Sequence, residues 1–103
     1  MLKNFKTFQI SIEFHKACLE LSIPGYLKDQ LFRASSSVSL NLAEGSTKPT
    51  KRDQLKFYFI ALGSLRESQA ALEFLPKNEE INALANKLGA HLYKLIQVNV
   101  RRG

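Results

Sequence analysis

Two carboxylates, Glu44 and Glu67, and two histidines, His15 and His91, are the groups in this 103-residue chain best suited to moving protons. Four serines, Ser35, Ser36, Ser37 and Ser39, crowd into five positions and offer hydroxyls for nucleophilic attack. A serine nucleophile needs a general base and an oxyanion site. Neither stands beside the run, and neither glutamate has a supporting cluster of His, Cys or Asp. Cys18 is the one cysteine, so an internal disulfide is excluded; without a partner at metal-ligand spacing it reads as a small core hydrophobe. No set of residues calls for a metal or cofactor.

The second kind of chemistry is charge. Fifteen Lys and Arg against nine Asp and Glu leave a formal +6. Such an excess on a small protein favours polyanionic partners, because each phosphate neutralised releases condensed counterions. Lys48, Lys51, Arg52 and Lys56 cluster around Ser46–Thr50 with only Asp53 against them, and Arg101 and Arg102 form a basic tail. If a helix starts near Lys51, its unpaired N–H groups and positive dipole end make that cluster a phosphate site; the rival reading is a solvated turn kept soluble by lysines. A P-loop is excluded, since no glycine-rich cradle is present.

Four helices must position these residues. From Asn4 to Ile23, Phe5, Phe8, Ile12, His15 and Leu19 recur near one stripe, and Pro24 and Gly25 stop the helix. A second helix over 27–44 carries Leu31, Ala34, Ser35, Val38, Leu42 and Gly45 on one stripe, with the serines allowing close packing and Gly45 placed as a left-handed cap. The third, over 51–75, opens on Thr50 and Asp53 in the pattern of a capping box. It shows two stripes, Leu55, Tyr58, Leu62, Leu65, Gln69 and Leu72 beside Phe57, Ala61, Ser64, Ser68, Ala71 and Leu75. Gly63 suggests close backbone contact there, and Gly89 a close crossing in the fourth helix, which spans 79–100 behind an Asn78 cap. Glu44 is expected to meet Arg66 or Arg33 in a pair that orients helices.

Short turns and no strand pattern predict an all-α, antiparallel up-and-down four-helix bundle forming one domain over residues 1–103. A single bundle needs one apolar stripe per helix. The third helix has two, so self-association into a closed ring through the second and third helices is expected. No run of 18 apolar residues exists and the N-terminus is too interrupted for a signal peptide, which makes a cytoplasmic protein with no membrane partner the expectation.

The segments Gln30–Ala34, Ser37-Val38, Asn41–Gly45 and Phe57 with Ile60–Glu67 resemble the signature of the 23S rRNA intervening-sequence proteins, a bacterial four-helix bundle family. Phe8 and Pro24 extend the resemblance; Phe8 stands where the family often has Trp, and Phe32 where it often has a second basic residue. The resemblance implies a homopentameric barrel and carries over no catalytic residues. It also implies a fold similar to the accessory variability proteins of diversity-generating retroelements, basic pentamers that bind nucleic acid and a reverse transcriptase.

Together these readings favour a non-enzymatic oligomer that binds nucleic acid, structured RNA before DNA, through Lys48, Lys51, Arg52, Lys56, Arg101 and Arg102. Phosphate and shape would be read rather than bases. Arg33, Asn41, Glu44, Tyr58, Gly63, Ser64, Arg66 and Glu67 are assigned to helix packing and oligomer contacts. One rival is a protein-interaction scaffold docking a partner such as a reverse transcriptase; the other is a small enzyme using Glu44, Glu67 and a histidine.

Overall fold

Apolar side chains at helical spacing in four successive segments need a shared interior, and the chain supplies it by folding them side by side. The structure, a computed structural model, describes residues 2–102. After a short 3-10 turn at Leu2–Asn4 come α1 (Lys6–Leu19), α2 (Gly25–Ser46), α3 (Lys51–Leu72) and α4 (Glu79–Arg102), with no strand among the described residues. Phe14, Ile10, Leu31, Val38, Leu42, Leu65, Leu88 and Leu92 from all four helices are sealed from solvent in one core. Each such residue contributes about 1.5–3 kcal/mol on leaving water. Neighbours in the bundle are α1 with α2 and α4, and α3 with α2 and α4; the α2–α3 contact is the most extensive. The molecule measures 41 × 22 × 22 Å.

Helix ends differ from expectation for local reasons. The first helix stops at Leu19 rather than Ile23. Glu20 and Leu21 turn their N–H groups onto Ala17 and Cys18 carbonyls, and the chain then extends so that Pro24 can serve as N-cap of α2 with φ −56° and ψ 143°. A residue before proline is disfavoured in the helical region, so the helix cannot run to Ile23. At the other end of α2, Gly45 is not a left-handed cap; it lies inside the helix, which continues to Ser46, and no described glycine has positive φ. What Gly45 does instead is admit α3. A Cβ there would stand 2.7 Å from Tyr58 Cε1 and 3.0 Å from Phe57 Cβ. The third helix ends at Leu72, three residues early, with Glu73 and Phe74 turning back onto its last carbonyls.

Both sequence-predicted caps form. Thr50 Oγ1 accepts the Asp53 N–H at 3.1 Å, and Asn78 Oδ1 accepts the Ile81 N–H at 3.0 Å. Each satisfies an otherwise orphaned donor of a first turn.

The two stripes of α3 both find partners within the protomer, which removes the argument that they require a second copy. Tyr58 and Leu65 of the first and Ala61, Ser64, Ser68 and Ala71 of the second are all buried. The outer face of α3 is a third one: Phe59 and Ile60 are 53% and 51% exposed. Gly63 lies on that face, and a Cβ there would meet nothing within 4 Å, so the close contact expected at Gly63 is not made inside the bundle. Gly89 faces Leu65 and Arg66 side chains at ordinary contact distance.

Candidate nucleic-acid interface

Hydrogen bonds between the helices set the level at which each charged residue sits. Ser11 pairs with Ser39 at 2.7 Å and His15 Nδ1 with Ser35 Oγ at 2.7 Å across α1–α2; Ser37 pairs with Ser64 at 2.8 Å across α2–α3. Asn99 Nδ2 donates to Gln54 Oε1 at 2.8 Å and reaches Lys51 O at 3.5 Å across α3–α4. Along α1–α2 the bonded numbers rise on one helix as they fall on the other.

The α3–α4 bonds matter most for charge. Because Asn99 is tied to the first turn of α3, Arg101 and Arg102 lie at the same end of the bundle as Lys51, Arg52 and Lys56, although some fifty positions separate them in sequence. Phe5 packs edge-to-face on Tyr58 with 6.3 Å between centroids, which brings Lys3 and Lys6 to this end too. Eight of the fifteen basic residues thus gather here with Glu44 and Asp53 as the only acids. The remaining seven basic and seven acidic residues cancel, so the formal excess is concentrated toward this end.

Most of that cluster is open. Lys51, Arg52, Lys56, Arg101 and Arg102 are exposed, and none has an acid of the described residues within 4.0 Å. Lys48 differs: its Nζ is 2.9 Å from Glu44 Oε2 and 5.1 Å from the Phe57 ring centroid. It is the cation least available to a phosphate. The same pair corrects the expected partner of Glu44, which meets neither Arg66 nor Arg33: both stand more than about 10 Å away along the helices, whereas Lys48 is one helical turn off. Arg66 Nη1 donates to Gln69 Oε1 at 2.8 Å, again within its own helix.

The packing residues fall into two sets. Asn41 Nδ2 donates to Ser37 O at 2.9 Å and to Ser37 Oγ at 3.1 Å, so Asn41, Ser37 and Ser64 form one polar seam between α2 and α3. Tyr58 lies buried against Gly45. Arg33 and Glu67 instead border a shallow cleft of about 380 Å³ on the outer α2–α3 surface. Glu44 and Glu67 stand about 15 Å apart along the helices, given 1.5 Å of rise per residue and the Ser37–Ser64 level. Carboxylates that share one substrate bond sit within about 10 Å.

The His15–Ser35 bond is not visible in the sequence, where twenty residues separate the two. Ser35 has no exposed surface, and its hydroxyl also reaches Phe32 O at 3.3 Å. Burial lowers the His15 pKa and pushes the Cys18 thiol up to about 11, with a weaker opposing bond from Ser35. Both groups are therefore uncharged at neutral pH, which suits a polar seam rather than an attacking nucleophile.

At the basic end a cleft of about 320 Å³ opens between the N-terminal turn, α3 and α4, bordered by Phe5, Lys51, Gln54, Tyr58, Leu95 and Asn99. A roomier cleft, about 480 Å³, lies at the opposite end between Leu21, Leu72 and Ile81, with Lys77 on its border. Among the described residues no group of three or more His, Cys, Asp or Glu is placed to hold a metal ion, and no helix is long and apolar enough to cross a membrane.

The family model of the 23S rRNA-intervening sequence protein matches residues 3–99. The chain belongs to that family. Comparison with curated proteins finds no match. The family match takes in Lys48, Lys51, Arg52 and Lys56, whereas Arg101 and Arg102 lie beyond it. The basic end is therefore built partly from family sequence and partly from residues of α4 outside the match. Sequence reasoning does not reach the cleft beneath it. The available signal is Asn99, a polar residue on the same α4 stripe as Leu88, Leu92 and Ile96.

Proposed function

We propose that this protein is a non-enzymatic, cytoplasmic, cofactor-free oligomer of antiparallel up-and-down bundles that binds nucleic acid through its basic end. The observation that carries the reading is the convergence of Lys51, Arg52, Lys56, Arg101 and Arg102, unpaired among the described residues and exposed, around the N-terminus of α3. Unsatisfied N–H groups and the positive dipole end of α3 add to that field. The up-and-down arrangement is supported by the α1–α2 bonds, whose numbers rise on one helix as they fall on the other; structured RNA is proposed before DNA.

Replacing Lys51, Arg52, Lys56, Arg101 and Arg102 together by alanine is expected to weaken binding to an RNA hairpin and to flatten the slope of log K against log salt. Each phosphate left without its cation removes about 0.7–0.9 from that slope. An unchanged slope across 50–300 mM salt would remove the assignment.

Self-association, as a pentameric ring by resemblance, is proposed through the outer α2–α3 face. Leu40 of α2 and Phe59 and Ile60 of α3 are more than half exposed. The same patch supports the second reading, a scaffold that docks a protein partner.

A further inference from the structure

The cleft beside the cations is more than a gap between helix ends. Asn99 is 2% exposed, and its Nδ2 is committed to Gln54 Oε1 and Lys51 O. Gln54 in turn donates its Nε2 to Lys48 O at 3.2 Å, so both amides are locked in orientation. That leaves Asn99 Oδ1 as an acceptor with no partner among the described residues. Since no buried side-chain oxygen or nitrogen among them lacks a bond, the free oxygen keeps some accessible surface, and Asn99 borders the cleft. The Tyr58 hydroxyl is in the same position: the residue is 3% exposed, has no hydrogen-bond partner among the described residues, and borders the same space. Burial keeps its phenol protonated well beyond neutral pH. Apolar walls from Phe5 and Leu95 face these two polar groups, and Lys51 stands at the mouth.

A cleft of about 320 Å³ with apolar walls from Phe5 and Leu95 and polar groups from Asn4, Ser46, Tyr58 and Asn99 fits a flat ring that offers an N–H donor. Because it lies within a cluster of phosphate-binding cations, we infer that this cleft receives a single unpaired nucleobase of the bound RNA, which donates to Asn99 Oδ1 and meets the Tyr58 hydroxyl while its flanking phosphates lie on Lys51 and Arg52. The inference rests on the nucleic-acid reading and changes its content: phosphate contacts hold the RNA, and one extruded base sets where along it the protein stops. Splayed bases held against aromatic side chains are the common route to RNA selectivity.

Three hairpins test it with the full chain: a continuous stem, the same stem with one bulged adenosine, and the stem with an abasic residue at the bulge. The bulged adenosine is expected to bind about tenfold tighter than the continuous stem, the range that stacking one base supplies, and the abasic bulge to fall back to the stem value. Tyr58→Phe keeps the packing on Gly45 and Phe5; it should lower affinity for the bulged adenosine about fivefold, as one hydrogen bond is removed, and leave the continuous stem unaltered. Equal affinity for bulged and abasic hairpins means that bending is read, and overturns the base cleft while leaving phosphate binding intact. So does a Tyr58→Phe protein with unchanged preference. No binding to any hairpin at low salt overturns the nucleic-acid reading itself.

Discussion

Gly45, in the last turn of α2, and Gly63, midway along α3, have opposite surroundings. A methyl at Gly45 would stand inside the Tyr58 ring edge and against Phe57, both held in the α2–α3 contact. Gly45→Ala is expected to lower unfolding free energy by about 1–3 kcal/mol in urea denaturation, the range for overpacking a close contact. At Gly63 the added methyl meets nothing. Gly63→Ala should therefore raise stability by up to about 1 kcal/mol in dilute, monomeric protein, through helix propensity alone. Sequence shows only that both glycines break a helix-forming run; which one is pressed by a neighbour depends on the register of α3 against α2. Titration gives a second residue-scale expectation. Burial holds the His15 pKa in the folded state below its ordinary 6.5, so the unfolded chain binds the proton more readily. Stability from this residue is fully present above pH 6.5 and is lost as pH falls from there through the lower folded value. The difference between the parent and His15→Gln in thermal midpoint should vary across pH 5–7 and level off above 7.

Helices make the same point about what is local and what is not. The α2 stripe of Leu31, Ala34, Ser35, Val38, Leu42 and Gly45 is legible as periodicity, and every member is buried. The caps at Thr50 and Asn78 are legible because a cap is a short-range bond. The ends of α1 and α3 are not, since apolar residues continue past both helices and pack on the core from non-helical backbone: Leu21, Ile23 and Leu75 do so. Nor does periodicity tell which neighbour a stripe meets. The basic residues of the site are readable as a cluster in α3 and as a separate tail in α4, but their convergence depends on the Asn99–Gln54 bond. The face left over once the protomer's own stripes are accounted for is the one with Phe59 and Ile60. Phe59→Glu with Ile60→Glu is expected to reduce the mass by light scattering to that of a single chain while leaving helical content unchanged, because both side chains are over half exposed in the protomer. An unaltered mass would move the association surface elsewhere.

At the scale of the whole molecule, the distribution of charge matters more than its amount. A formal +6 spread over the surface would draw the protein to a polyanion in any orientation; here the excess sits at one tip of a body 41 Å long and 22 Å across. A field gradient acting on such a body exerts a torque before contact, turning it tip-first during approach. Bound by that tip, as proposed, it would stand upright on the nucleic acid with a footprint of about 22 Å. At one charge per ~1.7 Å of duplex DNA, that footprint would cover about 13 phosphates, more than the seven cations of the tip without an ion pair among the described residues can neutralise. In that pose affinity would be capped by the protein's cations rather than by the contact area, and the flanks of the body, with the exposed Phe59 and Ile60, would stay clear of the polymer for neighbours standing beside it.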